Sequence, residues 1–267
     1  MSELHDLLVG LAVDAAILAR SRRAAGVTIA ASKSSLVDIV TEADREVERL
    51  VVDRIRAARP DDGILGEEGT SIAGTSGLTW VIDPIDGTVN YLYDIPAYAV
   101  SIALVEGEPD PTTWRAISAA VVNAATGEVF EAQRGGGARH DGRAIRVADA
   151  VPAEIALVGT GFGYDAQRRQ RQAAVVQGLI GSVRDIRRIG SAALDLAFVA
   201  SGRLNAYFER GLQPWDMAAG ALLVEEAGGA VTGWNGEPAS TEFLLAAAPA
   251  LADELMALLA PLRPDEV

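Results

Sequence analysis

Apolar residues change their spacing twice along this 267-residue chain, and those changes limit the architectures open to it. Leu4, Leu7, Leu8, Leu11, Ala15 and Leu18 recur at helical spacing, which predicts an amphipathic helix over 3–25. A second helix is expected over about 43–58, with Val47, Leu50, Val51 and Ile55 inward. Thr41-Glu42-Ala43-Asp44 precedes it as a capping box with aspartate in place of glutamate. From Gly63 to Val147 the pattern becomes short β-type runs, at 78–82, 97–105, 117–122 and 128–132, separated by turn residues as in a largely antiparallel sheet. Beyond about residue 150 the two kinds of signal alternate. Strands are expected at 155–158, 204–208 and 243–247, and helices at 166–179, 192–200, 215–227 (ended by Gly228-Gly229) and the C-terminus. Helices layered around two sheets fit this order. We expect one compact α/β unit with subdomains over 1–150 and 151–267.

Composition narrows the function. Net charge is −14, with an estimated pI of 4.6, so the surface repels nucleic acid and anionic membranes. It also repels phosphate, so a phosphate-handling site here needs local positive charge from arginines, helix N-termini or metal ions. No apolar run is long enough to span a membrane, and the opening Met1-Ser2-Glu3-Leu4-His5-Asp6 lacks a basic leader. Cysteine is absent, which removes disulfides, thiolate metal sites and cysteine nucleophiles together. A cytoplasmic location is the expectation. Lys33 is the only lysine among the basic residues. His5 and His140 are expected in a terminal segment and a polar turn, with neither beside a nucleophile, which disfavours a histidine-based hydrolytic triad.

The chemistry concentrates in carboxylates at the ends of elements. In Trp80-Val81-Ile82-Asp83-Pro84-Ile85-Asp86-Gly87-Thr88 an apolar strand delivers Asp83, and Pro84 holds Asp83 extended. Asp83, Asp86 and the Ile85 carbonyl form an oxygen-rich set of the kind hard cations take. Backbone N–H groups near Gly87 and Thr88 suit phosphate oxygens. A solvated surface turn is the plain alternative. Glu67 and Glu68 follow the apolar pair Ile64-Leu65, and Asp216 opens a helix after Pro214-Trp215. A polar loop and a first-turn helix acid are their ordinary meanings. Gly159-x-Gly161-x-Gly163 lacks the G-x-G-x-x-G spacing of a dinucleotide site.

Together these segments resemble the inositol monophosphatase family along essentially the whole chain. The matching stretches are Asp38-Ile39-Val40-Thr41-Glu42-Ala43-Asp44, Gly66-Glu67-Glu68-Gly69, 83–91 and Trp215-Asp216-Met217-Ala218-Ala219-Gly220. Those at 159–164 and 187–195 look like the actinobacterial inositol-1-phosphatase branch. The resemblance implies the α-β-α-β-α sandwich shared with fructose-1,6-bisphosphatases, a homodimer, and two or three Mg²⁺ ions per site. It implies that Glu67, Asp83 and the Ile85 carbonyl hold one ion, that Asp83, Asp86 and Asp216 hold a second, and that Glu67 reaches a weaker third. Thr88 and Asp44 would orient the attacking water, with Glu67 and Asp86 also catalytic. Gly87, Thr88, Asp86, Ser191, Ala192, Glu209 and Asp216 would meet the substrate, a small phosphomonoester. Lys33 would lie on a mobile catalytic loop. Tyr91 departs from the phenylalanine usual in the family, and Pro214 is a further variation. Myo-inositol 1-phosphate is the expected substrate and lithium the expected inhibitor. Superfamily relatives act on histidinol phosphate, 3′-phosphoadenosine 5′-phosphate or fructose 1,6-bisphosphate, and some bacterial members resemble transcription accessory factors.

Overall fold

The computed structural model describes residues 3–27, 29–32 and 39–266. In chain order the elements are α1 (Glu3–Ala25), β1 (Ile29–Ser32), β2 (Ile39–Thr41), α2 (Glu42–Ala58), β3 (Gly63–Gly66), β4 (Ser71–Ile72), β5 (Leu78–Asp86), α3 (Thr88–Tyr93), β6 (Ala99–Glu106), β7 (Arg115–Asn123), β8 (Val129–Gln133), β9 (Gly137–His140) and β10 (Arg143–Ile145). There follow β11 (Leu157–Thr160), α4 (Ala166–Leu179), β12 (Asp185–Arg187), α5 (Ala192–Ala200), β13 (Ala206–Glu209), α6 (Pro214–Glu226), β14 (Ala230–Thr232), β15 (Leu244–Ala247) and α7 (Pro249–Leu259). An eight-stranded sheet has the order β10-β9-β8-β7-β6-β5-β3-β4, and a five-stranded sheet the order β12-β11-β13-β15-β14. The first sheet is antiparallel except where β3 pairs parallel with β5.

Hydrophobic pattern explains the layers. Along β5, Trp80 and Ile82 point to one face while Val81 points to the other, and β6 alternates likewise with Ile102 and Leu104 against Ala103 and Val105. Both faces of these strands are therefore buried, which is why their sequence is a continuous apolar run. On one face α1 and α2 cover the sheet through Leu8, Leu11, Val47, Val51 and Ile55. On the other, α5 and α6 fill the space between the two sheets with Leu194, Leu196, Leu222 and Leu223. The far side of the five-stranded sheet carries α4 and α7, through Val175, Leu179, Leu255 and Leu259. The result is an α-β-α-β-α sandwich.

Several local expectations need correction. The strand expected at 155–158 begins at Leu157, because Pro152 starts a 3₁₀ turn over Ala153–Ile155 that leaves Ile155 exposed. β5 runs on to Asp86 instead of stopping at Ile82. β12 and β14 have no counterpart in the sequence reading; both are three-residue edge strands, paired on one side only, so neither needs an apolar run. His5 lies in the terminal helix, as expected of a terminal segment, but is buried: its Nδ1 lies 2.8 Å from Ser118 Oγ, and its Nε2 lies 3.6 Å from Glu131. Ser118 is itself buried. The contact spans 113 residues, which no local pattern reports. His140 closes β9 and stacks on Phe130 with ring centroids 4.4 Å apart.

The Tyr91 departure also has a physical account. The residue is fully buried, and its hydroxyl donates to the Ala19 carbonyl at 3.0 Å, tying α3 to the last turns of α1. Tyr91→Phe is expected to cost about 1 kcal/mol, the net worth of a hydrogen bond. A thermal midpoint lowered by roughly 2–4 °C checks this for a protein of this size; an unchanged midpoint contradicts it.

Candidate active site

The carboxylates meet because three independent pairings converge. Parallel pairing sets Gly66 opposite Ile82, and the Glu67 N–H donates to the Ile82 carbonyl at 3.1 Å, so the chain leaves β3 beside Asp83. The register of β5 against β6 slips between Asp83 and Asp86, around Pro84, which has no N–H to give a ladder. Within that bulge the Ile85 N–H turns back to Asp83 Oδ1 at 3.1 Å. From the opposite side, α6 opens with Pro214 in its first turn, and Asp216 accepts from the Gln213 N–H at 2.6 Å. Ser101 sits opposite Asp83 and donates to the Trp215 carbonyl at 3.3 Å, tethering the helix start to the sheet. Asp83, Asp86 and Asp216 consequently offer oxygens that all lie within 4.8 Å of one another. They line a cavity of about 530 Å³ with Glu67, Ile85, Gly87, Thr88, Ser191, Ala192 and Glu209.

Burial, with crowding of like charge behind it, sets the electrostatics. Burial, reinforced by the charges of Glu67, Asp86 and Asp216, holds the Asp83 carboxyl well above the usual aspartate range. Burial and then Asp86 and Glu67 do the same to Asp216. Asp86 is pushed up to about 6 by burial, opposed by hydrogen bonds from Ser191 and Ala193. Those bonds are short: Ser191 Oγ donates at 2.6 Å and the Ala193 N–H at 2.7 Å, both to Asp86 Oδ2. Ser191 also caps α5, so one residue starts that helix and fixes a carboxylate. Its hydroxyl is committed to Asp86.

Asp44 and Thr88 form a second unit. Thr41 caps α2, and Asp44 at the third position accepts back from the Thr41 N–H at 2.7 Å, the expected capping box. The Thr88 hydroxyl lies 3.3 Å from Asp44 Oδ1 and 3.1 Å from the Ile85 carbonyl oxygen. Gly87 precedes Thr88 with φ of +92°, and a Cβ there would come within 3.0 Å of the Ala97 and Gly190 carbonyls, so no other residue fits easily. Lys33 lies outside the described residues.

Some residues that shape the site were not read from the sequence. Buried Glu48 accepts from the Glu68 N–H at 2.8 Å and the Thr70 hydroxyl at 2.5 Å, holding the loop after Glu67. It lies one helical turn from Asp44, and that spacing was the available signal. Asn90 donates to the Ala97 carbonyl at 2.7 Å and the Ile189 carbonyl at 2.9 Å, joining the chain after β5 to the chain before α5. Asp195, Arg168 and Arg188 also line the cavity.

An oxygen-only donor set, buried and crowded until its members resist ionising, fits a hard divalent cation. Among families built on such carboxylate cages, the one this chain matches is a family of metal-dependent phosphatases. The chain belongs to the inositol monophosphatase family, whose model matches residues 1–266. It is 43% identical to inositol-1-monophosphatase SuhB of Mycobacterium tuberculosis, over 97% of this chain and 93% of the relative. The Nus factor SuhB of Xylella fastidiosa is 45% identical over 79% of this chain and 75% of its own length. A solved structure, the Thermotoga maritima IMPase, superposes with a TM-score of 0.87 at 31% identity, covering 98% of each chain.

The raised carboxyls make stability depend on pH. With Asp86 near 6, the metal-free fold keeps a proton that the unfolded chain releases near 3.8. Metal-free stability therefore falls as pH rises through that window. A divalent cation binds the ionised set and displaces those protons. The rise in thermal midpoint on replacing chelator with saturating Mg²⁺ is expected to be larger near pH 7.5 than near pH 5. Equal shifts at both pH values contradict this.

Proposed function

We propose that this chain is a Mg²⁺-dependent phosphomonoesterase that hydrolyses myo-inositol 1-phosphate to inositol and inorganic phosphate. The observation that carries the reading is the convergence of Asp83, Asp86 and Asp216 on one cavity. In this reading the 1–150 subdomain supplies Asp44, Glu67, Asp83, Asp86 and Thr88, and the 151–267 subdomain supplies Ser191, Ala192, Glu209 and Asp216. Glu67, Asp83 and the Ile85 carbonyl would hold one ion, Asp83, Asp86 and Asp216 a second, and Glu67 would reach a third. When bound, Mg²⁺ would supply charge neutralisation at the phosphate, a more acidic water and support for the leaving alkoxide.

The chain's own residues supply the rest. With the Thr88 proton directed to Asp44 Oδ1, the lone pairs of Thr88 Oγ1 would be free to accept a hydrogen bond from the attacking water and so aim it. Backbone N–H groups of Gly87 and Thr88 would hold phosphate oxygens. With the Ser191 hydroxyl committed to Asp86, the substrate contacts assigned to Ser191 and Ala192 would be made by their main chain. Glu209 would accept hydrogen bonds from substrate hydroxyls. A homodimer, a cytoplasmic location, inhibition by lithium and a part for the Lys33 loop belong to the same reading. No helix among the described residues is long and apolar enough to cross a membrane.

The Nus factor name carried by one relative motivates a second reading, a transcription accessory role. A net charge of −14 disfavours direct contact with RNA in that role. Phosphate release with and without Mg²⁺ separates the two. A panel including histidinol phosphate then tests the alcohol: inositol phosphate should lead in kcat/KM, and a tenfold lead for histidinol phosphate overturns the substrate while leaving the mechanism.

Asp86→Asn is expected to lose roughly 3 kcal/mol or more of transition-state stabilisation, about a hundredfold in rate. Wild-type kinetics in a folded variant removes Asp86 from the site. Thr88→Ala and Asp44→Asn should each lower kcat more than they change KM, and the double variant should be little worse than either. Additive losses would show that the two act separately.

A further inference from the structure

Asp195 lines the same cavity and has no place in the chemistry above. It sits in the first turns of α5 and is 1% exposed, yet its Oδ1 finds no hydrogen-bond partner. Burying a carboxyl with an unpartnered oxygen sacrifices its hydration for nothing within the protein. Such groups are rare in folded interiors, and each calls for an explanation such as an ordered water, an ion or a role in the site's chemistry.

The fold makes room for this carboxyl deliberately. A Cβ on Gly159 would come within 2.8 Å of Asp195 Oδ1, and one on Gly161 would overlap the Glu209 carboxylate. The Gly-x-Gly of β11 and its exit, which has the wrong spacing for a dinucleotide, is thus the space that two carboxyl groups occupy. They differ in their surroundings. Glu209 accepts from the Tyr207 hydroxyl at 2.5 Å and is pushed up to about 7 by burial. Asp195 is raised well above the usual range by burial and by the charge of Glu209. Arg188 also lines the cavity, and its charge acts on both.

We propose that Asp195 is a specificity-determining residue, whose buried carboxyl completes its hydrogen bonding on a hydroxyl of a ring polyol phosphate beside Glu209. The proposal rests on the phosphatase reading and narrows it to substrates that carry a hydroxyl remote from the ester. A polyol answers both carboxyls, because each hydroxyl donates and accepts. A short ester such as glycerol 2-phosphate fills the phosphate end without spanning the cavity, and so gains little from Asp195.

The test compares Asp195→Leu and Asp195→Asn on myo-inositol 1-phosphate and glycerol 2-phosphate with saturating Mg²⁺. The leucine variant should lose about tenfold or more in kcat/KM on the inositol ester, chiefly through KM, and less than about threefold on the glycerol ester. The asparagine variant, which keeps hydrogen bonding at that position, should stay within about threefold of wild type on both. Should the leucine variant not fold, Asp195→Ala takes its place in the same comparison. Parallel losses on both esters, or an inositol ester unaffected by losing the carboxyl, overturn the proposal. If wild-type protein hydrolyses neither ester, the inositol-phosphatase reading falls, which is a separate outcome.

Discussion

Carboxylates on separate elements are pressed together against their own repulsion, and the surrounding structure is organised to hold them there. Asp83 and Asp86 come from β5 and Asp216 from α6, with oxygens within 4.8 Å of one another. Buried like charges raise one another's pKa and favour separation. What opposes separation is the packing of α6 and α5 between two sheets, reinforced by hydrogen bonds aimed at the carboxylates themselves. The Gln213 N–H fixes Asp216, Ser191 and Ala193 fix Asp86, and the Ile85 N–H fixes Asp83. The cage is thereby preorganised before any ion arrives, at the cost of a metal-free fold that prefers to keep protons.

The same logic explains why helix caps recur around the cavity. Thr41 and Asp44 start α2, Ser191 starts α5, and Asp216 holds the first turn of α6. Helix starts present unpaired N–H groups and positive dipole ends, which steady anionic side chains. A strongly acidic chain can therefore gather carboxylates at one place without losing the elements that carry them. Asn90 extends the arrangement by bridging the Ala97 and Ile189 carbonyls, so the chain before β6 is tied to the chain before α5.

Features that depend on neighbours in sequence were legible in it. The Thr41–Asp44 capping box, the helix bounds of α1 and α4, and the positions of Asp83 and Asp216 near the ends of elements follow from local periodicity and turn chemistry. The layered fold followed from the order of periodic segments together with the family resemblance. Features made by distant partners were not legible. Ser101 meets Trp215, His5 meets Ser118, and Tyr91 meets Ala19, across separations that leave no periodic trace. The three-residue edge strands β12 and β14 were missed because an edge needs no apolar run. Asp195 was visible only as part of a matching stretch; its burial beside Gly159 depends on how α5 lies across β11.

The central claim is that this cage exists to be completed by divalent cations. Calorimetric titration of Mg²⁺ into the chelator-treated protein near pH 6.5, repeated in two buffers of different ionisation enthalpy, addresses it most directly. The account predicts saturable binding with net release of protons, abolished or strongly weakened in a folded Asp83→Asn variant. Absence of saturable binding, or binding that releases no protons and survives the substitution, would contradict it.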